Sequence, residues 1–240
     1  MPQGQELRSR LTSVLEVIYF VFNEGYAAHE GQDLIRQELC LEALRLGRLI
    51  AASSIGGPRA EALAAFMALQ AARLSARVDD AGELVLLEDQ DPGRWDQQLI
   101  ALGFHHFHRA MVGDEISEYH VQAAIAATHA RASGGCSPHW PLILDLYDQL
   151  LSMTGSAIVA LNRSVAVAKV HGPLAALAAI EPLLGDPRLR DYYLLPAVRG
   201  HFLLELGRGD DAAANFRAAL ECSCSEPERR FLRRNLEKCH

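Results

Sequence analysis

Apolar residues recur at intervals of three and four along most of the chain, which is the period of an α-helix. Leu11, Val14, Leu15, Ile18 and Phe22 predict a first helix over 7–22. It is expected to stop at Asn23-Glu24-Gly25-Tyr26, where Gly25 is free to take the left-handed conformation that closes a helix. Two more helices are expected over about 33–53 and 59–75, parted by the breaker Gly56-Gly57-Pro58.

The stretch 76–93 departs from this rhythm. Val78-Asp79-Asp80-Ala81-Gly82-Glu83 followed by Leu84-Val85-Leu86-Leu87 puts a turn between short apolar runs, so a short hairpin or an ordered loop is expected near 77–91. Asp91-Pro92 has the form of an N-cap with proline in the first turn, starting a helix through Trp95, Leu99 and Phe107. Further helices are predicted over 117–132, 138–153, 156–171, 173–184, 191–206, 210–222 and 226–239. Ser137-Pro138 marks one start, and Ser225 with Glu228 forms a capping box. The short connections force consecutive helices into antiparallel hairpins.

A repeat runs through the second half. Ser164 is followed after 12 residues by Ala176 and then by Ile180; Gly200 is followed after 12 by Ala212 and then by Phe216, 36 residues further along. Small residues at such points let the two helices of a hairpin approach closely, and the larger residue four later fills the next groove, as in tetratricopeptide pairs. The expected fold is all-α: stacked antiparallel helix hairpins, tetratricopeptide-like in the C-terminal half. The expected division is an N-terminal helical cluster with its polar loop over 1–110 and the helical repeats over 111–240.

Composition agrees, with half of the 240 residues apolar and only 7% aromatic. The formal charge of −7 and a pI near 5.8 speak against a general nucleic-acid-binding surface, which needs clustered Lys and Arg. No apolar run approaches the roughly 20 residues that cross a bilayer. The opening Met-Pro-Gln-Gly-Gln lacks the basic start and apolar core of a signal peptide, so the reading places the chain in the cytoplasm, away from membranes. Cys40, Cys136, Cys222, Cys224 and Cys239 are odd in number and scattered, which suits reduced thiols. Cys222, Cys224, Cys239 and His240 lack the second tight pair of a zinc site, and no metal or cofactor is expected.

The densest polar cluster joins Arg73, Arg77, Asp79 and Asp80 to Glu88-Asp89-Gln90-Asp91 and Arg94-Trp95-Asp96. Arg73 and Arg77 stand four apart on one helical face, so both are expected to reach carboxylates carried by the returning loop. Such bridges either fasten the excursion to the helices or line a pocket that grips a small acidic ligand or partner. Asp89 and Asp91 have neither a companion nucleophile nor a phosphate-binding glycine loop, and the acids of 79–91 do not follow a calcium-loop order. His105, His106 and His108 lack the H-E-x-x-H pattern and read as surface histidines. The mixed charges of Arg229, Arg230, Arg233 and Arg234 with Glu226, Glu228 and Glu237 read as a solvated face. Asn23, Glu24 and Tyr26, like Asn162-Arg163, suit hydrogen-bond nodes between helices.

Several stretches together resemble the C-terminal extension of a group of extracytoplasmic-function (ECF) RNA polymerase sigma factors that carry tetratricopeptide-like helices after the sigma core. They are Val17-Ile18-Tyr19-Phe20-Val21-Phe22-Asn23-Glu24-Gly25-Tyr26, Cys40-Leu41-Glu42-Ala43-Leu44-Arg45-Leu46-Gly47-Arg48, and Leu86-Leu87-Glu88-Asp89-Gln90-Asp91 with Arg94-Trp95. The similarity continues through Tyr119-His120-Val121-Gln122-Ala123-Ala124-Ile125-Ala126, Trp140 with Tyr147, Leu161-Asn162-Arg163-Ser164-Val165-Ala166-Val167-Ala168, and Glu228-Arg229-Arg230-Phe231-Leu232. The resemblance implies a bacterial transcription-initiation protein whose extension modulates the sigma factor, with the sigma core domains, and through them RNA polymerase, as partners. Before Leu7 there is no room for the promoter-reading domains, so the chain is read as part of a longer sigma factor or a stand-alone relative, without DNA contacts of its own. The resulting expectation is a regulatory binding module and not an enzyme, acting through Asn23, Glu24, Tyr26, Arg73, Arg77, Asp79, Asp89, Gln90, Asp91 and Trp95. The alternative expectation is a small-ligand sensor using the Arg/Asp/Trp cluster.

Overall fold

The computed structural model describes residues 5–26, 35–132 and 137–239, with side chains from residue 10 onward; Asp33, Cys136 and His240 lie outside the described residues. Every regular element among them is helical, as the spacing of apolar residues predicts. The α-helices are α1 (Gln5–Tyr26), α2 (Gln37–Ala51), α3 (Gly57–Ala71), α4 (Gln97–Ala110), α5 (Glu118–Arg131), α6 (Trp140–Thr154), α7 (Ala157–His171), α8 (Pro173–Ile180), α9 (Leu194–Glu205), α10 (Gly209–Glu221) and α11 (Glu226–Glu237). Contacts group the chain into two compact units. The first holds α1 to α5 and the second holds α6 to α11 together with residues 80–84.

In the first unit α3 is the central post. Its sequence is apolar on every side, and a helix of that kind needs neighbours all round. The run from Ala60 to Leu69 is buried throughout, with α2, α4 and α5 packed against it. Phe22, Leu15 and Ile18 of α1 complete this core, with the Phe22 ring edge-on to Phe66 of α3 at 5.9 Å. Tyr19 joins by packing its ring against Phe66 and Tyr119 at 5.9 and 5.6 Å between centroids.

Two helix ends differ from the sequence expectation, each because one residue type serves two geometries. The first helix ends at Tyr26, the last residue of the expected stop, but Gly25 lies inside the helix and does not close it. Gly25 has no positive φ and serves as a point of close approach. A Cβ there would lie 2.8 Å from both the Cys40 amide nitrogen and Leu39 Cβ, while the Arg36 N–H donates to the Gly25 carbonyl at 2.8 Å. Asp91-Pro92 does not open α4. Asp91 caps a single 3-10 turn, Pro92–Arg94, by accepting from the Gly93 N–H at 2.8 Å. Asp96 is the cap of α4, accepting from Gln98 and Leu99 at 2.8 and 3.0 Å.

The excursion near 77–91 is an ordered loop. It is built of turns, with the Val85 N–H donating to the Arg77 carbonyl at 2.9 Å and a 3-10 turn at Leu87–Asp89. Its return is fastened to the end of α3 by the Asp96 N–H on the Ala72 carbonyl at 2.8 Å and by the Ser75 hydroxyl on the Arg94 carbonyl at 2.8 Å.

The second unit is a series of antiparallel hairpins. Ser164, Ala176, Ile180, Ala212 and Phe216 are all essentially sealed from solvent, as the repeat register requires. A Cβ on Gly200 would come within 3.2 Å of the Phe216 ring and 3.3 Å of the Ala212 carbonyl oxygen, so small residues do bring α9 and α10 together. His139, not Ser137, caps α6, by accepting the Leu142 N–H at 3.1 Å. The Ser225/Glu228 capping box forms as read, with Glu228 accepting from the Ser225 N–H at 2.8 Å. No helix among the described residues is long and apolar enough to cross a membrane.

Candidate functional site

Among the stretches of the first unit on which the resemblance rests, one ends in Tyr26 and one in Trp95, and Arg73 joins these two. Its guanidinium donates to the Tyr26 hydroxyl at 2.7 Å and lies 5.9 Å from the centre of the Trp95 ring. Gln70 also accepts from it. Arg77 donates to the Tyr26 backbone carbonyl and stacks its guanidinium 3.9 Å from the centre of that tyrosine's ring. Through these hydrogen bonds the two arginines clasp the last turn of α1. A guanidinium suits this place because it donates in its plane and stacks through its face.

The surroundings are electropositive and dry. His129 of α5 is held neutral by burial and by the charge of Arg73, which together lower its pKa from 6.5 to about 4. Cys40 is fully buried; burial pushes its thiol up to about 11, partly offset by Arg77. Above pH 6.5 the His129 ring is neutral in both folded and unfolded chains. As pH falls from 6.5 towards 4, the unfolded chain takes up a proton that the folded one refuses, so stability is lost across that window, by about 2–3 kcal/mol. Urea unfolding at pH 7 and pH 4.5 is expected to show this loss, and His129→Gln to reduce it; an equal loss in both proteins contradicts the assignment.

The other expected site residues scatter around this clasp. Asn23 hydrogen-bonds Tyr19, and Glu24 pairs with Arg36 at 3.2 Å. Gln90 is buried and donates to the Val85 carbonyl at 3.3 Å. Asp79 is half-buried, Asp89 is exposed on its turn, and Asp91 is spent as a cap. Gln90 Oε1 and Trp95 Nε1 are buried without a hydrogen-bond partner among the described residues.

Sequence reasoning missed three polar arrangements. His106 is buried, contrary to its reading as a surface histidine. Its Nδ1 lies 2.6 Å from Oε2 of Glu61, whose Oε1 accepts from Arg109 Nε at 2.7 Å. His105 and His108 are exposed. Glu61 sits in an apolar run of α3, 45 residues before His106, so nothing local signals the pairing. His120 is also buried, with Nε2 3.1 Å from the Ala110 carbonyl oxygen and Nδ1 accepting the Ser117 N–H at 3.1 Å. In the second unit, Arg230 and Arg234 of α11 are not simply a solvated face. Both reach Glu83, at 2.6 and 3.1 Å, and Arg230 also donates to the Gly82 carbonyl at 2.9 Å. Residues 82 and 83 are thus held by α11.

Among the described residues no group of three or more His, Cys, Asp or Glu is placed to hold a metal ion. Cys40, Cys222, Cys224 and Cys239 are free thiols. One shallow depression of about 440 Å³ opens beside Glu61 and Arg109, walled by Ala51, Pro58 and Val112.

With that geometry in place, comparison with known proteins adds the following. Residues 10–111, spanning α1 to the end of α4, match the profile of DUF6596, described as a family of unknown function. Over 236 residues, 98% of this chain, the sequence is 39% identical to an uncharacterized protein of Rhizobium meliloti (strain 1021). The chain spans about 55% of that relative's length. No solved structure matches.

Proposed function

We propose that the chain is a regulatory protein-binding module of an ECF-type RNA polymerase sigma factor. It tunes transcription initiation by docking on the sigma core domains in the cytoplasm, without gripping DNA and without catalysing a reaction. The observation that carries this reading is the convergence at Arg73: two stretches that resemble sigma-factor extensions, nearly 70 residues apart, meet around one guanidinium. The length of the Rhizobium relative adds support, since a region equivalent to this chain there accompanies a further segment of comparable size. Stacked helix hairpins suit the role, because they offer broad faces to a partner.

The test is Arg77→Ala in a sigma factor carrying this extension, read by reporter transcription alongside protein abundance. Reporter output is expected to change several-fold while abundance holds, and Arg77→Lys to restore only part of it, since lysine keeps the charge and loses the planar fork. Normal transcription at normal abundance removes the clasp from the mechanism.

The second reading, a sensor for a small acidic ligand, is favoured by the buried, unpartnered Trp95 Nε1, whose ring lies 5.9 Å from the Arg73 guanidinium. A buried N–H without an acceptor is costly and is satisfied by a ligand carboxylate. A thermal-shift series with small dicarboxylates separates the readings, because a ligand bound only to the folded chain raises its melting temperature by mass action.

A further inference from the structure

Glu61 stands in the apolar run of α3 and is 5% exposed. A carboxylate in such a place is costly unless its oxygens are paired. Both are: Oε2 lies 2.6 Å from His106 Nδ1, and Oε1 accepts from Arg109 Nε at 2.7 Å. A carboxylate only accepts, so His106 Nδ1 carries a proton and donates it. This network is not needed to join α3 to α4. The two helices already touch where Gly103 meets Leu69, so closely that a Cβ on Gly103 would lie 2.6 Å from Leu69 Cγ. What the network does is hold Arg109 in one orientation. The Arg109 side chain is 57% exposed, while the Glu61 side chain that grips it is 6% exposed. With Nε tied inward, the two terminal nitrogens make no hydrogen bond among the described residues and remain as an open fork. Arg109 and Glu61 line the depression of about 440 Å³ whose walls include Ala51, Pro58 and Val112.

We propose that this depression is a binding site for a short aliphatic monocarboxylate. The Arg109 fork takes the carboxylate, and Ala51, Pro58 and Val112 take the alkyl part. A planar guanidinium matches a carboxylate with two parallel N–H···O bonds. Glu61 selects one negative charge over two, because its own charge offsets that of Arg109 and leaves little net attraction for a dianion such as phosphate. The volume lies at the small end of ligand sites, which suits a short chain. The site shares no residue with the Arg73–Arg77 clasp and goes beyond the docking reading. A free short-chain acid and the C-terminus of a peptide ending in a small apolar residue both carry this chemistry.

The test is thermal unfolding of the full chain in sodium butyrate against sodium chloride at equal ionic strength. Butyrate is expected to raise the melting temperature with dose, because it binds the folded state, and neutral butyramide is expected to leave it unchanged. Arg109→Gln is expected to weaken butyrate binding by about tenfold or more, the effect of losing a charge-assisted pair. Val112→Glu changes a position that is 68% exposed, keeps the Glu61–Arg109 pair, and sets a carboxylate at the rim that repels or replaces the ligand. It is expected to weaken binding comparably, and it decides the matter if Arg109→Gln loses its helical circular dichroism. No rise in wild type, an equal rise with butyramide, or an equal rise in either folded variant overturns the proposal. Acetyl-alanyl-alanine with a free C-terminus forms the second arm. Binding tighter than butyrate supports the site and assigns it to a chain end; equal or weaker binding, with the butyrate response intact, supports the site and assigns it to a free acid.

Discussion

Gly25→Val is expected to lower the stability of the first unit by about 3 kcal/mol, at the upper end of the usual cost of overpacking. At Gly25 the new side chain meets backbone: a Cβ would stand 2.8 Å from the Cys40 nitrogen and 2.9 Å from the Arg36 carbonyl oxygen. Backbone atoms cannot swing aside by changing rotamer, so α2 has to move away from α1. That movement drags on Tyr26 and loosens the clasp of Arg73 and Arg77. Gly47→Ala is the instructive contrast. Its Cβ meets the terminal methyl of Met67, the end of a flexible side chain that has other rotamers. Urea denaturation is expected to show a large drop in midpoint for Gly25→Val and a small one for Gly47→Ala. If the two variants unfold together, the close approach at Gly25 is not the feature that seats α2.

Phe216→Ala is expected to cost about 3–5 kcal/mol, the usual price of truncating a sealed aromatic side chain. Phe216 is 1% exposed and lies against the bare backbone of Gly200. No side chain on that side can move in to fill the space it leaves. Ala197, Leu203, Ala219 and Leu232 belong to the same core cluster, so the loss is felt in α9, α10 and α11 together. Thermal unfolding followed by circular dichroism reads this out. A cost below about 1 kcal/mol would mean that the hairpin is held elsewhere and that the 12-residue register is incidental.

The helical architecture was legible because apolar spacing and helix caps are local. Ser225 and Glu228 announce the start of α11 in four residues, and the Gly200–Ala212–Phe216 register follows from side-chain size alone. Misreadings arose where one residue type serves two purposes. Gly25 looks the same whether it ends a helix by a positive φ or lets another helix touch it. Asp91 and Asp96 are both good caps, and only the chain path shows which one opens α4. The candidate site was partly legible: Tyr26, Arg73, Arg77 and Trp95 do come together, while Asp89 stays exposed and Glu24 pairs with Arg36. What stayed hidden depends on tertiary proximity. Glu61 finds His106 across 45 residues and Arg230 finds Glu83 across 147, distances over which no periodicity carries information.

Docking on a sigma core is the central claim, and the direct measurement is association between this chain and the complementary segment of the longer relative, by analytical ultracentrifugation at matched concentrations. The account predicts a one-to-one complex that Arg77→Ala weakens while leaving helical content unchanged. Two folded species that sediment independently at every concentration would contradict it.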